Sequence, residues 1–202
     1  MSRRLDIDTC VRGASVLNRR MPGRFEFVFA GRGEALDRLR SLARDLGAGN
    51  CSFPGWLDQA EIDRLLRSAS IGLLPYPSTS DFLRSFPNKF AEYLSYGLPV
   101  VTCLGGLVGE LIDSDKCGHR YATGDPESLV SAVLHLAGDQ RRFDAMRHRA
   151  SEVFAARFDA DTVYREYADF IVGLASRRGQ RTHLLPEAES LRLRVSGEGN
   201  SP

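Results

Sequence analysis

Short apolar runs and helical stripes alternate along most of this chain, and that alternation constrains the fold more than any other feature. Phe25 to Ala30 (FEFVFA), Cys51 to Phe53, Ile71 to Leu74 and Val100 to Cys103 have strand length and are bounded by turn residues. Between them lie stretches of helical period. Cys10, Ala14, Leu17 and Met21 share one face, as do Leu36, Leu39, Leu42, Ala43 and Leu46, and then Ile62, Leu65, Leu66 and Ala69. Asn88 to Tyr96 reads as a further helix, and a short one follows around Glu110 to Ile112. Asp6 or Asp8 can cap the first helix, Asp58 and Glu61 form a capping box for the third, and Pro22-Gly23, Gly47 and Gly97-Leu98-Pro99 act as stops. Strand and helix alternating with short links predict an α/β fold: a Rossmann-like parallel, doubly wound sheet flanked by helices, with a helical C-terminal part. Ligands of such sheets sit at the carboxyl ends of the strands. The loops to inspect are therefore Gly31–Gly33, Pro54–Trp56, Pro75–Phe86 and Leu104–Gly109, with Tyr76 to Arg84 read as a polar loop.

The chain has 202 residues, 43% of them hydrophobic, enough for one domain with a proper core. Lys+Arg number 27 against 26 Asp+Glu, for a net charge of +1, so charge balance gives nucleic acid binding no support. The 4 cysteines (Cys10, Cys51, Cys103, Cys117) form no C-x-x-C pair and read as small buried thiols in a reducing compartment. The four histidines, His119, His135, His148 and His183, show neither triad nor metal spacing. No run approaches a membrane span, and the N-terminus lacks an apolar signal core, so a soluble, cytoplasmic protein is expected, peripheral to the membrane at most. Asp125-Pro126-Glu127 is a strong helix start, and helices near Arg141–Phe154 and Asp161–Leu174 follow. Arg141, Arg142, Arg147 and Arg149 read as a solvated helix face, with a lipid surface as the sharper alternative. A domain over 1–175 and a disordered polar tail over 176–202 complete the expected organisation.

Chemistry concentrates in Ser85-Phe86-Pro87-Asn88-Lys89-Phe90-Ala91-Glu92. Ser85 can cap a helix starting near Pro87, whose open N–H groups at Phe86, Asn88 and Lys89 suit phosphate oxygens. Lys89 adds a cation, and Arg84 can add another. Glu92 lies one turn on, and its carboxylate offers the two acceptors that a ribose diol needs. The plainer reading of a Lys and a Glu in the first turns of a helix is a solvated ion pair.

The stretches FVFAGRGEALDRLRSLARDLG, NCSFPGWLDQAEIDRLLRSASIGLLPY, SFPNKFAEYLSYGLPVVT, GDPESLVSAVLHLAGD and RFDADTVYREYADF follow one another in order. Together they resemble the C-terminal, nucleotide-sugar-binding domain of the large retaining glycosyltransferase family with the GT-B fold (group 1, family 4-like). The resemblance runs from Phe27 to about Tyr167, and P-N-K-F-x-E-Y-L-x-x-G-L-P-V-V is its most specific part. It implies that the helix start at Ser85–Lys89 binds the donor diphosphate, that Glu92 holds the ribose, and that Gly31 and Gly33 line the cleft. It also implies that the turn with Gly55 and Trp56 holds the base, that Gly105 and Gly106 lie near the diphosphate, and that no metal or other cofactor is required.

Two departures accompany the resemblance. Many members carry a second Glu eight positions before the one matching Glu92, contacting the transferred sugar; here that position is Arg84, which could instead aid the leaving group. The acceptor-binding N-terminal domain and the first strand of this domain are also missing. The chain thus reads as a fragment or one half of a split enzyme needing a separate N-terminal partner, with Phe25–Ala30 left as an open strand edge and low solubility expected when expressed alone. The expected function is transfer of a sugar from a nucleoside diphosphate sugar, a UDP-sugar by preference, to a polysaccharide or glycolipid acceptor. The alternative is a non-catalytic nucleotide-binding module; a sugar-nucleotide epimerase is disfavoured for want of an acid–base pair.

Overall fold

The computed structural model describes residues 2–182. Its elements follow in the order α1 (Ile7–Arg20), β1 (Phe27–Ala30), α2 (Leu36–Asp45), β2 (Cys51–Gly55), α3 (Gln59–Ser68), β3 (Gly72–Leu74), α4 (Ser80–Leu83), α5 (Asn88–Ser95), β4 (Val100–Thr102), α6 (Gly106–Asp115), β5 (Gly118–Arg120), α7 (Pro126–Ala137), α8 (Gln140–Arg157) and α9 (Ala160–Thr182). A first compact unit ends at Asp159 and holds everything through α8; a second begins at Ala160 with α9. Of the expected tail, residues 176–182 continue α9, and the rest lies outside the described residues.

The expected stops and caps operate as chemistry dictates. Asp58 accepts from the Glu61 N–H at 2.8 Å while the Glu61 carboxylate accepts from the Asp58 N–H at 2.8 Å, a complete capping box. Asp125 accepts from the N–H groups of Glu127 and Ser128, with Pro126 in the first turn of α7. Asp139 does the same for α8. Asp6 occupies the N-cap position of α1, but its carboxylate is spent elsewhere: it accepts from the Thr9 hydroxyl (2.6 Å), the Tyr121 hydroxyl (3.2 Å) and the Gly124 N–H (3.1 Å). Asp8 pairs with Arg38 of α2, whose hydrogen bonds hold its carboxyl below the usual range.

All strand pairing is parallel, and helices flank it. The expected single sheet is, however, two ladders: β1 with β2, and β3-β4-β5. Among the described residues no strand joins β1 to β3. Periodicity reveals which segments are strands but not which of them become neighbours. One core nevertheless lies under both ladders: Phe27 and Phe29 of β1 and Val101 of β4 pack with Cys10, Ala14 and Leu17 of α1 and Leu129 and Val133 of α7. A second core gathers Leu74, Phe90, Leu94, Val108 and Ile112 beneath α5 and α6.

Two further corrections concern local structure. The loop expected from Tyr76 to Arg84 contains the single turn α4, held by Phe82 packing edge-on to Tyr76 at 5.1 Å. β5 follows a stretch that reads as helix and loop, because Gly-His-Arg has no β-branched residue. It forms because Gly118 lets the chain approach β4 closely; a Cβ there would stand 2.1 Å from the Val100 carbonyl oxygen. We therefore predict that Gly118→Ala destabilises the chain by about 1–3 kcal/mol, a cost of overpacking read as a lower urea midpoint.

All four cysteines are free thiols, and burial pushes each one up, Cys51 and Cys117 to about 11. Because the thiolate is the reactive form, folded protein at pH 8 should react slowly with an aromatic disulfide reagent and release four equivalents only in denaturant.

Candidate functional site

The carboxyl ends of the strands carry two groups of loops. The first follows β1 and β2. The Gly31 N–H donates to the Gly55 carbonyl, and Gly31, Gly33 and Gly55 adopt φ of 127°, 141° and 86°, a region that favours glycine. This brings Arg32 over the Trp56 ring at 5.3 Å. Trp56 remains 58% exposed, so the indole offers a face to a ligand rather than filling the core.

The second group follows β3 and β4. Ser78 stitches it together: its hydroxyl accepts from the Gly105 N–H and donates to the Cys103 carbonyl, each at 2.8 Å. The Gly105 amide is thereby used internally. Gly106 opens α6 at φ 56°, and a Cβ on it would stand 2.9 Å from the Leu83 carbonyl oxygen, so α4 rests directly on the glycine turn. No side chain caps α6 or α5, which leaves first-turn N–H groups of both helices without intrahelical acceptors.

Within the Ser85–Glu92 segment the structure amends the expected roles. Ser85 does not cap α5; Pro87 occupies that position, and the Ser85 hydroxyl donates to the Phe82 carbonyl at 3.0 Å. A residue two places before proline sits too far outside the helix to reach its amides, and a local carbonyl three residues back satisfies it instead. Phe86 packs on Phe90 (5.5 Å) and Phe158 (5.2 Å), so its side chain anchors the helix start and only its backbone could meet a ligand. Asn88 is exposed. Lys89 Nζ donates to Glu92 Oε2 at 2.6 Å, the ion pair that the spacing also allowed. Glu92 keeps its second oxygen for another donor. Arg84 closes α4 with its N–H on the Phe82 carbonyl and is exposed; its side chain has no hydrogen-bond or ion-pair partner among the described residues.

Residues 3–6 join the two groups. The Arg3 N–H reaches Glu34 after β1 at 3.5 Å, Arg4 pairs with Asp81 and lies over Phe82 at 5.3 Å, and the Asp6 N–H donates to the Pro75 carbonyl at 2.8 Å. The carboxyl ends of both ladders thus lie on one rim. Arg4 adds a cation to it that sequence reading did not single out, because its partners lie 77 residues away. Arg141, Arg142, Arg147 and Arg149 are all exposed, and Arg147 also donates to the Gly97 carbonyl at 3.2 Å, tying α8 to the end of α5. Among the described residues no helix is long and apolar enough to cross a membrane.

The model of the family described as glycosyl transferases group 1 matches residues 4–139. The chain belongs to this family. Among its relatives, the amylovoran biosynthesis glycosyltransferase AmsK of Erwinia amylovora is 28% identical over 155 residues, which cover 76% of this chain and 38% of AmsK. A glycogen synthase of Mycobacterium tuberculosis is 32% identical over 170 residues, 82% of this chain and 38% of the synthase. The chain thus spans less than half the length of these relatives. The fold matches HepE of Anabaena, solved in complex with UDP-glucose, with TM-score 0.69 at 18% identity over 86% of this chain and 46% of HepE. It also matches the C-terminal domain of the group 1 protein LpcC of Francisella tularensis, with TM-score 0.66 at 16% identity over 79% of this chain and 83% of that domain.

Proposed function

We propose that this chain is the donor-binding half of a glycosyltransferase. It takes a nucleoside diphosphate sugar, with UDP as the preferred nucleotide, and its sugar passes with retention to a polysaccharide or glycolipid acceptor held by an N-terminal domain. The observation that carries the reading is the convergence on one rim of a base-sized aromatic face at Trp56, open helix N-termini at α5 and α6, and a carboxylate one turn along α5. The base lies against Gly55–Trp56, and the ribose diol donates to Glu92. The diphosphate meets the amides of Asn88 and Lys89 and the cations of Lys89, Arg84 and Arg4, so its charge is neutralised by this chain's own groups. Arg84 stabilises the leaving diphosphate. The names of the relatives, amylovoran biosynthesis glycosyltransferase and glycogen synthase, favour a glycan acceptor. Four free thiols, three of them buried, favour a reducing, cytoplasmic compartment.

Calorimetric titration with UDP, GDP and ADP tests this. One-to-one binding led by UDP is expected, and heat unchanged by Glu92→Ala would remove Glu92 from the site.

A further inference from the structure

Successive residues of a strand point to opposite faces of the sheet, and β5 distributes its three side chains accordingly. Gly118 faces α6: a Cβ on it would stand 2.7 Å from Ile112 Cδ1. His119 points the other way and lies against His135 of α7, with ring centroids 4.7 Å apart. Arg120 returns to the α6 face, at the carboxyl end of the outer strand of its ladder.

α6 receives this side chain along a row without side chains of its own. Gly105, Gly109 and Asp113 are spaced four apart and so stack along one face of the helix. A Cβ on Gly109 would stand 3.3 Å from Arg120 Cζ and 3.4 Å from its Nε, and one on Gly105 would stand 3.7 Å from Nη2. Asp113 closes the far end of the row, where Arg120 Nη1 donates to its Oδ2 at 2.9 Å. The guanidinium therefore lies along the two glycines, tied at Nη1 and with Nη2 nearest the turn that opens α6. Nη2 has no hydrogen-bond acceptor among the described residues.

Stability does not account for this placement. A helix favours cations at its C-terminus and disfavours them at its N-terminus, where the amides already carry partial positive charge. Arg120 and Asp113 are both exposed, and an exposed pair contributes little. An anion does account for it. The Gly105 N–H is taken by Ser78 and the Gly109 N–H by the Gly105 carbonyl. The N–H groups of Gly106, Leu107 and Val108, which no side chain caps, stand at the same end of α6 as Nη2.

Position along the rim decides which part of the donor meets them. Trp56 follows β2, Glu92 stands on the helix after β3, α6 follows β4, and Arg120 ends β5. From the ribose at Glu92, the strand order β3-β4-β5 leads away from the base, toward the far phosphate.

We propose that Arg120 is a further donor-binding residue, whose Nη2 and the α6 amides hold the sugar-bearing phosphate while the start of α5 holds the phosphate next to the nucleoside. The assignment rests on the reading of this chain as the donor-binding half of a glycosyltransferase. Asp113 and the glycine row fix the guanidinium before the donor arrives, so its charge meets the negative charge that builds on that phosphate as the sugar leaves.

The test is a UDP titration of the isotopically labelled 202-residue chain, wild type and Arg120→Met, with urea denaturation of both. Methionine keeps an apolar stem against the glycines and removes the charge. Arg120→Met should weaken UDP binding by about 10- to 150-fold, as for loss of a charged hydrogen bond. At saturation it should keep the amide shifts at Gly55–Trp56, reduce those at Gly106–Val108, and leave the urea midpoint in place. Unchanged affinity overturns the proposal and leaves the donor reading standing. So does a loss of shifts at both ends alike with a lower urea midpoint, which makes Arg120 a structural residue only. A wild-type chain that does not bind UDP overturns the donor reading, and the proposal with it.

Discussion

Glu92→Ala should weaken UDP binding by about 10- to 150-fold, the loss expected when charged hydrogen bonds worth about 1.5–3 kcal/mol are removed. The carboxylate stands one turn into α5, where one oxygen takes Lys89 Nζ at 2.6 Å and the other remains open. In the proposed donor site a ribose diol would donate to that carboxylate while the Lys89 ammonium stayed near the diphosphate, so the pair would serve both ends of the ligand at once. Glu92→Gln keeps one oxygen acceptor and should lose less. Lys89→Ala should weaken binding in a salt-dependent way, because its contribution is largely ionic at a half-exposed site. Neither change should alter the unfolding free energy read from urea denaturation by more than about 0.5 kcal/mol, since largely solvated i,i+3 pairs contribute little to stability.

Phe90→Ala should have the opposite signature. Phe90 is fully buried beneath the start of α5, with Phe86 at 5.5 Å and Phe158 at 6.1 Å. Truncation leaves a cavity and should cost about 3–5 kcal/mol, a large share of the roughly 5–15 kcal/mol that holds a domain of this size together. Loss of the ring also leaves Phe86 with only the Phe158 ring to pack on among the described residues, so the α5 N-terminus is held less firmly and nucleotide affinity should fall with stability. Phe90→Leu, which keeps most of the volume, should cost about 1.5 kcal/mol or less and retain binding. Urea denaturation with a parallel UDP titration separates this class of change from Glu92→Ala.

Much of the first unit was legible because strands and helices here carry their own punctuation. The capping box at Asp58 and Glu61 and the Asp125-Pro126 start are local, and local chemistry reads well from sequence. What sequence could not show was set by contact between distant segments. Gly118-His119-Arg120 becomes a strand only because Gly118 fits against Val100. Arg4 reaches the rim only because Asp81 waits there. At Lys89 and Glu92 the spacing supported an ion pair and a ligand site alike, and the structure shows the pair without removing the carboxylate's second oxygen from use. The division of the sheet was legible in part: an open edge at Phe25–Ala30 was expected from the resemblance, but not that β3 would show a matching one.

The most direct test of the account is a UDP titration of the isotopically labelled chain followed at its backbone amides. The account predicts saturable, one-to-one shifts concentrated at Gly31–Gly33, Gly55–Trp56, Arg84–Lys89 and Gly105–Leu107, on the single rim where both ladders end. Saturable shifts centred elsewhere, or no shift with any nucleoside diphosphate, would contradict it.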